Sequence, residues 1–431
     1  MIFSDIAVLD ESGDVKPHMW VGVEGDTITY YDSVKPHDMS VFGEVYDGQN
    51  KVLMSGFYNT HTHSPMTLLR GYAENLPLQR WLNESVFPFE AKMTPEDSYW
   101  GTLLAIAEMV RYGTVSMSDM YFHTDARVRA VLESGFKANI CNSVVAIPDG
   151  EFNEHPECIS YEKFLDTITD TGNGRLKFDY NLHAEYTSGP HIARQVIEHA
   201  IDRNACIHIH ISETQLEHEE CKQRHNGLTP VQYFESLGAF NIPVIAAHCV
   251  WVDEDDMDIM AANGAFVATN PVSNLKLGSG FAPIARMMEK GVNVSLGTDG
   301  TASNNNLDIL QDLYVMTLLP KGLTGNPCAV TPFEALTAVT RTGALAQGRE
   351  DCGLIRVGMK ADLTVLDTSG PSWQPQTDIL NNIVYAGHGN DVCFTMIDGQ
   401  VMYRDGEWPT LDYERIVHEV SMRTSRIISE L

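Results

Sequence analysis

Two histidines separated by one residue, His61 and His63, close an apolar run near residue 60. On a strand, residues two apart face the same way, so both imidazoles can reach one ion. Further apolar runs end in His183, in His208-x-His210-x-x-Glu213, in His248 and in Gly297-Thr298-Asp299-Gly300. Three imidazoles and one carboxylate form a donor set suited to zinc with one position left open for water. His61, His63, His210 and Asp299 meet that count. Zinc so held can bring the pKa of bound water to about 7 and supply hydroxide at neutral pH; iron or manganese is compatible with the same donors. Taken singly, an H-x-H on a strand is more often structural, and a T-D-G is usually a turn. The case for a metal centre is their recurrence, in one frame, at the ends of strands one, five, six and eight. His208 shares a face with His210 but lies one layer deeper, so a packed, hydrogen-bonded interior role is expected. Asp119, ending strand two, is expected to support the site. His123, His191, His199, His218, His225 and His418 fall in loops or helices and are expected at the surface.

The elements that must position these residues follow a clear rhythm. Short apolar runs at 52–59, 114–120, 138–145, 176–184, 206–212, 243–249, 265–270 and 293–298 alternate with helical patterns. Eight such units over roughly 300 residues suit a (β/α)8 barrel, whose active sites lie at the C-terminal ends of the strands. A doubly wound open sheet would carry a glycine-rich phosphate loop after its first strand; here that place holds Asn59-Thr60-His61-Thr62-His63. Thr94-Pro95-Glu96-Asp97 reads as a helix start, with a stripe at Trp100, Leu103, Leu104 and Val110. Thr229 to Gln232 and Thr331 to Glu334 read as capping boxes. Residues 1–50 alternate apolar and polar in short pieces, and strand patterns return after 353, including Ala361–Asp367, Val384–Ala386 and Phe394–Val401. The predicted organisation is a small β-sandwich built from residues 1–54 and 353–431, the latter with a terminal helix, around a barrel over 55–352.

Composition narrows the partners. The 431 residues carry 29 Lys plus Arg against 58 Asp plus Glu, a formal net charge of −29. That excludes the basic footprint that nucleic-acid binding needs and disfavours an anionic membrane face. The eight cysteines form no C-x-x-C pair, so no cysteine-based zinc ribbon is present, and scattered thiols suit a reducing compartment. No apolar run approaches the roughly 18 residues needed to span a bilayer, and the start at Met1 reads as a strand. A soluble, cytoplasmic protein is expected, with a small-molecule substrate and with homo-oligomerisation left open.

At this point the motifs become recognisable. Gly56 to Gly71 (GFYNTHTHSPMTLLRG), Asp119 to His123, His210 to Thr214, Ala246 to Val250, Asn270 to Gly278 and Gly297 to Asn305 resemble the amidohydrolase superfamily. Within it, the chain resembles the 5-methylthioadenosine/S-adenosylhomocysteine deaminase family. The resemblance implies that His61, His63, His210 and Asp299 hold one divalent metal, usually zinc. It implies Glu213 as proton shuttle and His248 as the partner of the attacking water and developing alkoxide, with Asp299 accepting the water's proton. It also places Trp81 as an aromatic wall, Glu90 and His183 at the ribose and purine edge, and Ser303 among the substrate contacts. The implied reaction is hydrolytic deamination of an adenine nucleoside: 5-methylthioadenosine, 5′-deoxyadenosine or adenosine. Guanine, another purine or a triazine is the alternative substrate. A lysine bridging two metals is absent from the end of strand four, Asn181-Leu182-His183.

One departure is visible. The segment Ala146 to Glu157 holds no Lys or Arg and four acids, Asp149, Glu151, Glu154 and Glu157. A substrate carboxylate brought there would meet like charge and no bidentate partner. Neutral nucleosides are therefore expected to be preferred over S-adenosylhomocysteine, unless Arg70, Arg80 or a partner subunit supplies the missing cation.

Overall fold

The computed structural model describes all residues, Met1–Leu431. Eight parallel strand positions build the barrel: Phe57–Thr62, Thr114–Met120, Lys137–Cys141, the pair Leu176–Phe178 and Tyr180–Leu182, Ile207–Ile211, Val244–His248, Phe266–Thr269 and Asn293–Leu296. Strand four breaks at Asp179. Its first half pairs with strand three and its second with strand five. Strands eight and one close the ring through Asp299 N–H to His61 O at 3.0 Å and through Thr60 Oγ1 and Ser295 Oγ at 2.9 Å. Almost every barrel-strand residue is buried, as expected of a parallel sheet covered by helices.

The run expected as one strand over 52–59 is two. Lys51–Ser55 joins the terminal sheet and Phe57–Thr62 enters the barrel. Gly56 is the joint: a Cβ there would lie 2.2 Å from Val115 Cγ1.

The terminal segments meet where Lys51–Ser55 pairs antiparallel with Leu363–Asp367, in one eight-stranded sheet. Phe3 and Phe394 lie three strand steps apart in that sheet, about 14 Å if it were flat. Their ring centroids are 5.4 Å apart, so the sheet curls over its own core. Val384–Ala386 is not a strand: Ile379–Tyr385 is a helix, because the Asp378 side chain accepts from Asn381 N–H and caps it. Helix starts at Thr94, Thr229 and Thr331 carry the expected capping boxes. No helix is long and apolar enough to cross a membrane.

Candidate active site

The barrel brings His61, His63, His210 and Asp299 to one rim, as their positions at strand ends require. Asp299 Oδ1 lies 3.5 Å from His61 Nε2 and 3.2 Å from His63 Nε2. The offered nitrogen atoms of His61, His63 and His210 lie within 4.8 Å of one another. Donors about 2.0–2.1 Å from a tetrahedral ion sit about 3.3 Å apart, so these spacings fit a zinc-sized ion. The inner nitrogen of each ring is also occupied. His63 Nδ1–H donates to Met120 O at 2.6 Å and His210 Nδ1–H to His183 O at 2.7 Å, while His61 Nδ1 meets His208 Nε2 at 2.9 Å. Such contacts fix the tautomer of metal-binding histidines and leave Nε2 as ligand. His61 Nε2 is buried with no hydrogen-bond partner, an orphaned lone pair aimed at the same point. The chemistry of the set fits a divalent metal.

Electrostatics agree. Burial pushes His61 down to about 4 and His210 well below the usual histidine range, so both are neutral at pH 7 and free to ligate. For His63 the carboxylate of Asp299 outweighs burial and leaves the ring raised. Asp299 itself is held well below the carboxylate range, because the two imidazoles overcome the penalty of burial.

The site opens into a partly enclosed cavity. Trp81, Glu90, His183, His210, Glu213, His248 and Asp299 all line it. Glu213 Oε2 faces His248 Nε2 at 3.8 Å, and burial raises the Glu213 carboxyl. Burial also lifts Glu90 to about 7. Ser212 (φ 49°), His248 (φ 70°) and Asp299 (φ 61°) all leave their strands in the left-handed region, strain of the kind that gathers at functional sites.

The remaining expected positions lie outside the cavity. Ser303 does not line the cavity: its hydroxyl donates to Asp299 Oδ2 at 2.9 Å, so it orients that carboxylate. His208 is the buried partner of His61. Asp119 accepts from Ser64 N–H and Oγ–H and pairs with the fully buried Arg127 at 2.8 Å. His218 is buried near Ser212 Oγ, not at the surface.

The acidic segment does not face the cavity. Asp149 accepts from His191 and Ile192 N–H at 3.0 and 3.1 Å, capping the helix Pro190–Asp202, and Glu151 holds His191 and Gln195. A helix N-terminus attracts carboxylates, and this overrode the expectation that these acids screen the pocket. Arg70 pairs with Glu108 and Arg80 with Glu84; neither lines the cavity. The same rim holds an overlapping group of potential ligands, His61, His248 and Asp299, whereas a third, Glu185, Cys221 and His225, is already satisfied: Arg224 and His225 both bind the Glu185 carboxylate.

Sequence reasoning left several supporting residues without a role. Arg127 gathers the carbonyls of Asp119, Tyr121, Phe122 and Cys141 at the ends of strands two and three, and Ser273 Oγ donates to Asp299 Oδ2 at 2.6 Å. Such residues meet their targets only once the barrel closes, although Ser273 lies inside the Asn270 to Gly278 motif.

A barrel with this rim is the architecture of a metal-dependent hydrolase. The amidohydrolase family model matches residues 52–402, and the chain belongs to that family. Curated relatives are named 5-methylthioadenosine/S-adenosylhomocysteine deaminase. The one from Dictyoglomus thermophilum is 42% identical over 90% of both chains, and that from Dictyoglomus turgidum 39% identical over 100% of this chain and 99% of its own. A zinc-bound adenosine deaminase from Xanthomonas campestris superposes with a TM-score of 0.91 at 29% identity, covering 99% of this chain and 98% of that one. Atrazine chlorohydrolase from Arthrobacter aurescens, at 20% identity, a TM-score of 0.89 and coverage of 98% and 99%, shares the fold.

Proposed function

We propose that this chain is a hydrolytic deaminase of adenine nucleosides that holds one zinc ion per chain. The carrying observation is Glu213, a buried carboxyl facing His248 beside the His61, His63, His210 and Asp299 donor set. Holding a metal requires neither Glu213 nor His248; moving protons at a reacting ring requires both kinds of group. The names of the curated relatives support the adenine nucleoside as substrate.

When bound, zinc supplies an activated water at neutral pH. Asp299 takes the proton of the attacking water, and Glu213 delivers one to N1 as C6 becomes tetrahedral. His248 hydrogen-bonds the entering oxygen. Asp299 then passes its proton to the amino group and the hydroxyl proton returns to Glu213, so the C6–N bond breaks, ammonia leaves and the inosine analogue remains. Trp81 walls the nucleoside, while Glu90 and His183 take the ribose and purine edge.

The cavity also bears on the 5′ substituent. None of its 20 lining residues is Lys or Arg, and 12 are hydrophobic. An uncharged 5′ group such as methylthio suits this lining, whereas a substrate carboxylate finds no bidentate partner. We therefore rank 5-methylthioadenosine, 5′-deoxyadenosine and adenosine above S-adenosylhomocysteine.

Ammonia release over these nucleosides, guanine and a triazine, with metal analysis on the same sample, tests the reading. Adenine nucleosides are expected to lead, with about one zinc per chain. Chelation should abolish turnover and added zinc restore it. Guanine or a triazine turned over faster than every adenine nucleoside overturns the assignment. A kcat/KM for S-adenosylhomocysteine matching that for 5-methylthioadenosine overturns only the ranking.

A further inference from the structure

Barrel strand seven, Phe266–Thr269, ends in neither histidine nor carboxylate, yet the chain after it touches all three proton-handling groups. Ser273 Oγ–H donates to Asp299 Oδ2 at 2.6 Å, Asn274 Oδ1 lies 2.8 Å from His248 Nδ1, and Ser279 Oγ–H reaches Glu213 Oε1 at 3.4 Å. The segment is itself tied together. Asn274 N–H donates to Asn270 O at 2.9 Å, and Ser279 N–H to Asn274 O at 2.8 Å. Ser273, Asn274 and Ser279 are buried. The sequence displays this stretch as a recognisable motif, Asn270 to Gly278, but no reacting residue lies in it.

We propose that Asn274 is a positioning residue that fixes the tautomer of His248, so that His248 Nε2 presents a lone pair to the reacting water. An amide oxygen only accepts, so the Nδ1 facing Asn274 Oδ1 carries the hydrogen. A neutral imidazole has one N–H, and Nε2 is then the acceptor. Nε2 is also the atom that faces Glu213. Asn270 Nδ2 lies 3.3 Å from the same Nδ1, the longer of the two contacts, and also donates to Ala268 O at 3.2 Å. His248 and Cys249 both sit in the left-handed region, with φ of 70° and 47°. Such a backbone persists only where surrounding contacts over-determine it, and the Asn274 bond is one of these. His248 thus accepts a hydrogen bond from the entering water through Nε2.

This proposal rests on the deaminase reading, and two readouts keep them separable. In the zinc-loaded enzyme, Asn274→Leu removes the acceptor at similar volume, while Asn274→Asp retains an accepting oxygen. Asn274→Leu is expected to lower kcat on 5-methylthioadenosine by about 10- to 100-fold, the usual range for outer-shell partners. KM, zinc content and Tm should stay close to wild type, and Asn274→Asp should recover most of the loss. Nitrogen-15 NMR of histidine-labelled protein should show His248 as the Nδ1–H tautomer in wild type and lose that signature in Asn274→Leu. An Nε2–H tautomer in wild type, an unchanged kcat in a folded Asn274→Leu, or a kcat loss matched by lost zinc overturns the proposal. If no nucleoside is deaminated by wild type, the deaminase reading fails, and the tautomer spectrum still decides what Asn274 does.

Discussion

Glu213 is buried, its Oε2 3.8 Å from His248 Nε2, and the deaminase reading proposed above gives it the proton transfer. Glu213→Gln keeps the shape and removes the transferable proton. It is expected to retain zinc while kcat falls at least about 10²–10⁴-fold, the range for a positioned acid or base. Most of the activity surviving in a zinc-loaded variant would remove Glu213 from the mechanism. Ser303 gives a second residue-scale test. Its hydroxyl shares Asp299 Oδ2 with Ser273, so it helps set the orientation of that carboxylate. Ser303→Ala should reduce kcat or zinc affinity about 10-fold or more with little change in KM. A rise in KM alone would return Ser303 to the substrate wall.

At the scale of elements, two joints are open to measurement. Gly56 passes the chain from the terminal sheet into barrel strand one, with Val115 2.2 Å from where a Cβ would stand. Gly56→Ala should destabilise by about 1–3 kcal/mol through overpacking. Thr94 caps the helix Pro95–Arg111 through a reciprocal box with Asp97, and Thr94→Ala should lose about 1 kcal/mol. Urea unfolding of the zinc-loaded variants ranks them; a Gly56→Ala protein as stable as wild type would mean the joint tolerates a side chain. Capping and strand ends were legible in the sequence because they depend on neighbours a few residues away. The split at Gly56 and the helix at 379–385 were not. An apolar run has the same pattern whether it serves one sheet or two, and the Asp378 cap outweighed the β-propensity of Val384 and Tyr385.

For the molecule as a whole, pH and charge act together. Burial lifts Glu217 to about 8 and Asp179 and Asp256 to about 6. A carboxyl raised in the folded state contributes stability that is present below its unfolded value and lost as pH climbs to the folded one. The window therefore runs from about pH 4 to pH 8. The net charge of −29 at pH 7 adds self-repulsion across the upper part of it. With zinc in excess, Tm is expected to be higher near pH 5.5 than near pH 8. Added salt should narrow the gap, as should Glu217→Gln. A Tm that climbs steadily toward pH 8 would show that these buried acids do not control stability.

By itself the sequence determined the donor types, their spacing, the barrel rhythm and the acidic net charge, because strand period and net charge are local or additive properties. Only the tertiary structure decided which group stands behind which. His208 and His210 share a strand face, yet one supports His61 and the other reaches the rim. Ser303 turned to Asp299, and Asp149 and Glu151 turned to a helix start. Those outcomes depend on barrel closure between residues as distant as Asn59 and Thr298, whose side chains meet at 2.7 Å. A one-dimensional pattern gives the face on which a residue lies; the opposing surface is set by the whole chain closing on itself.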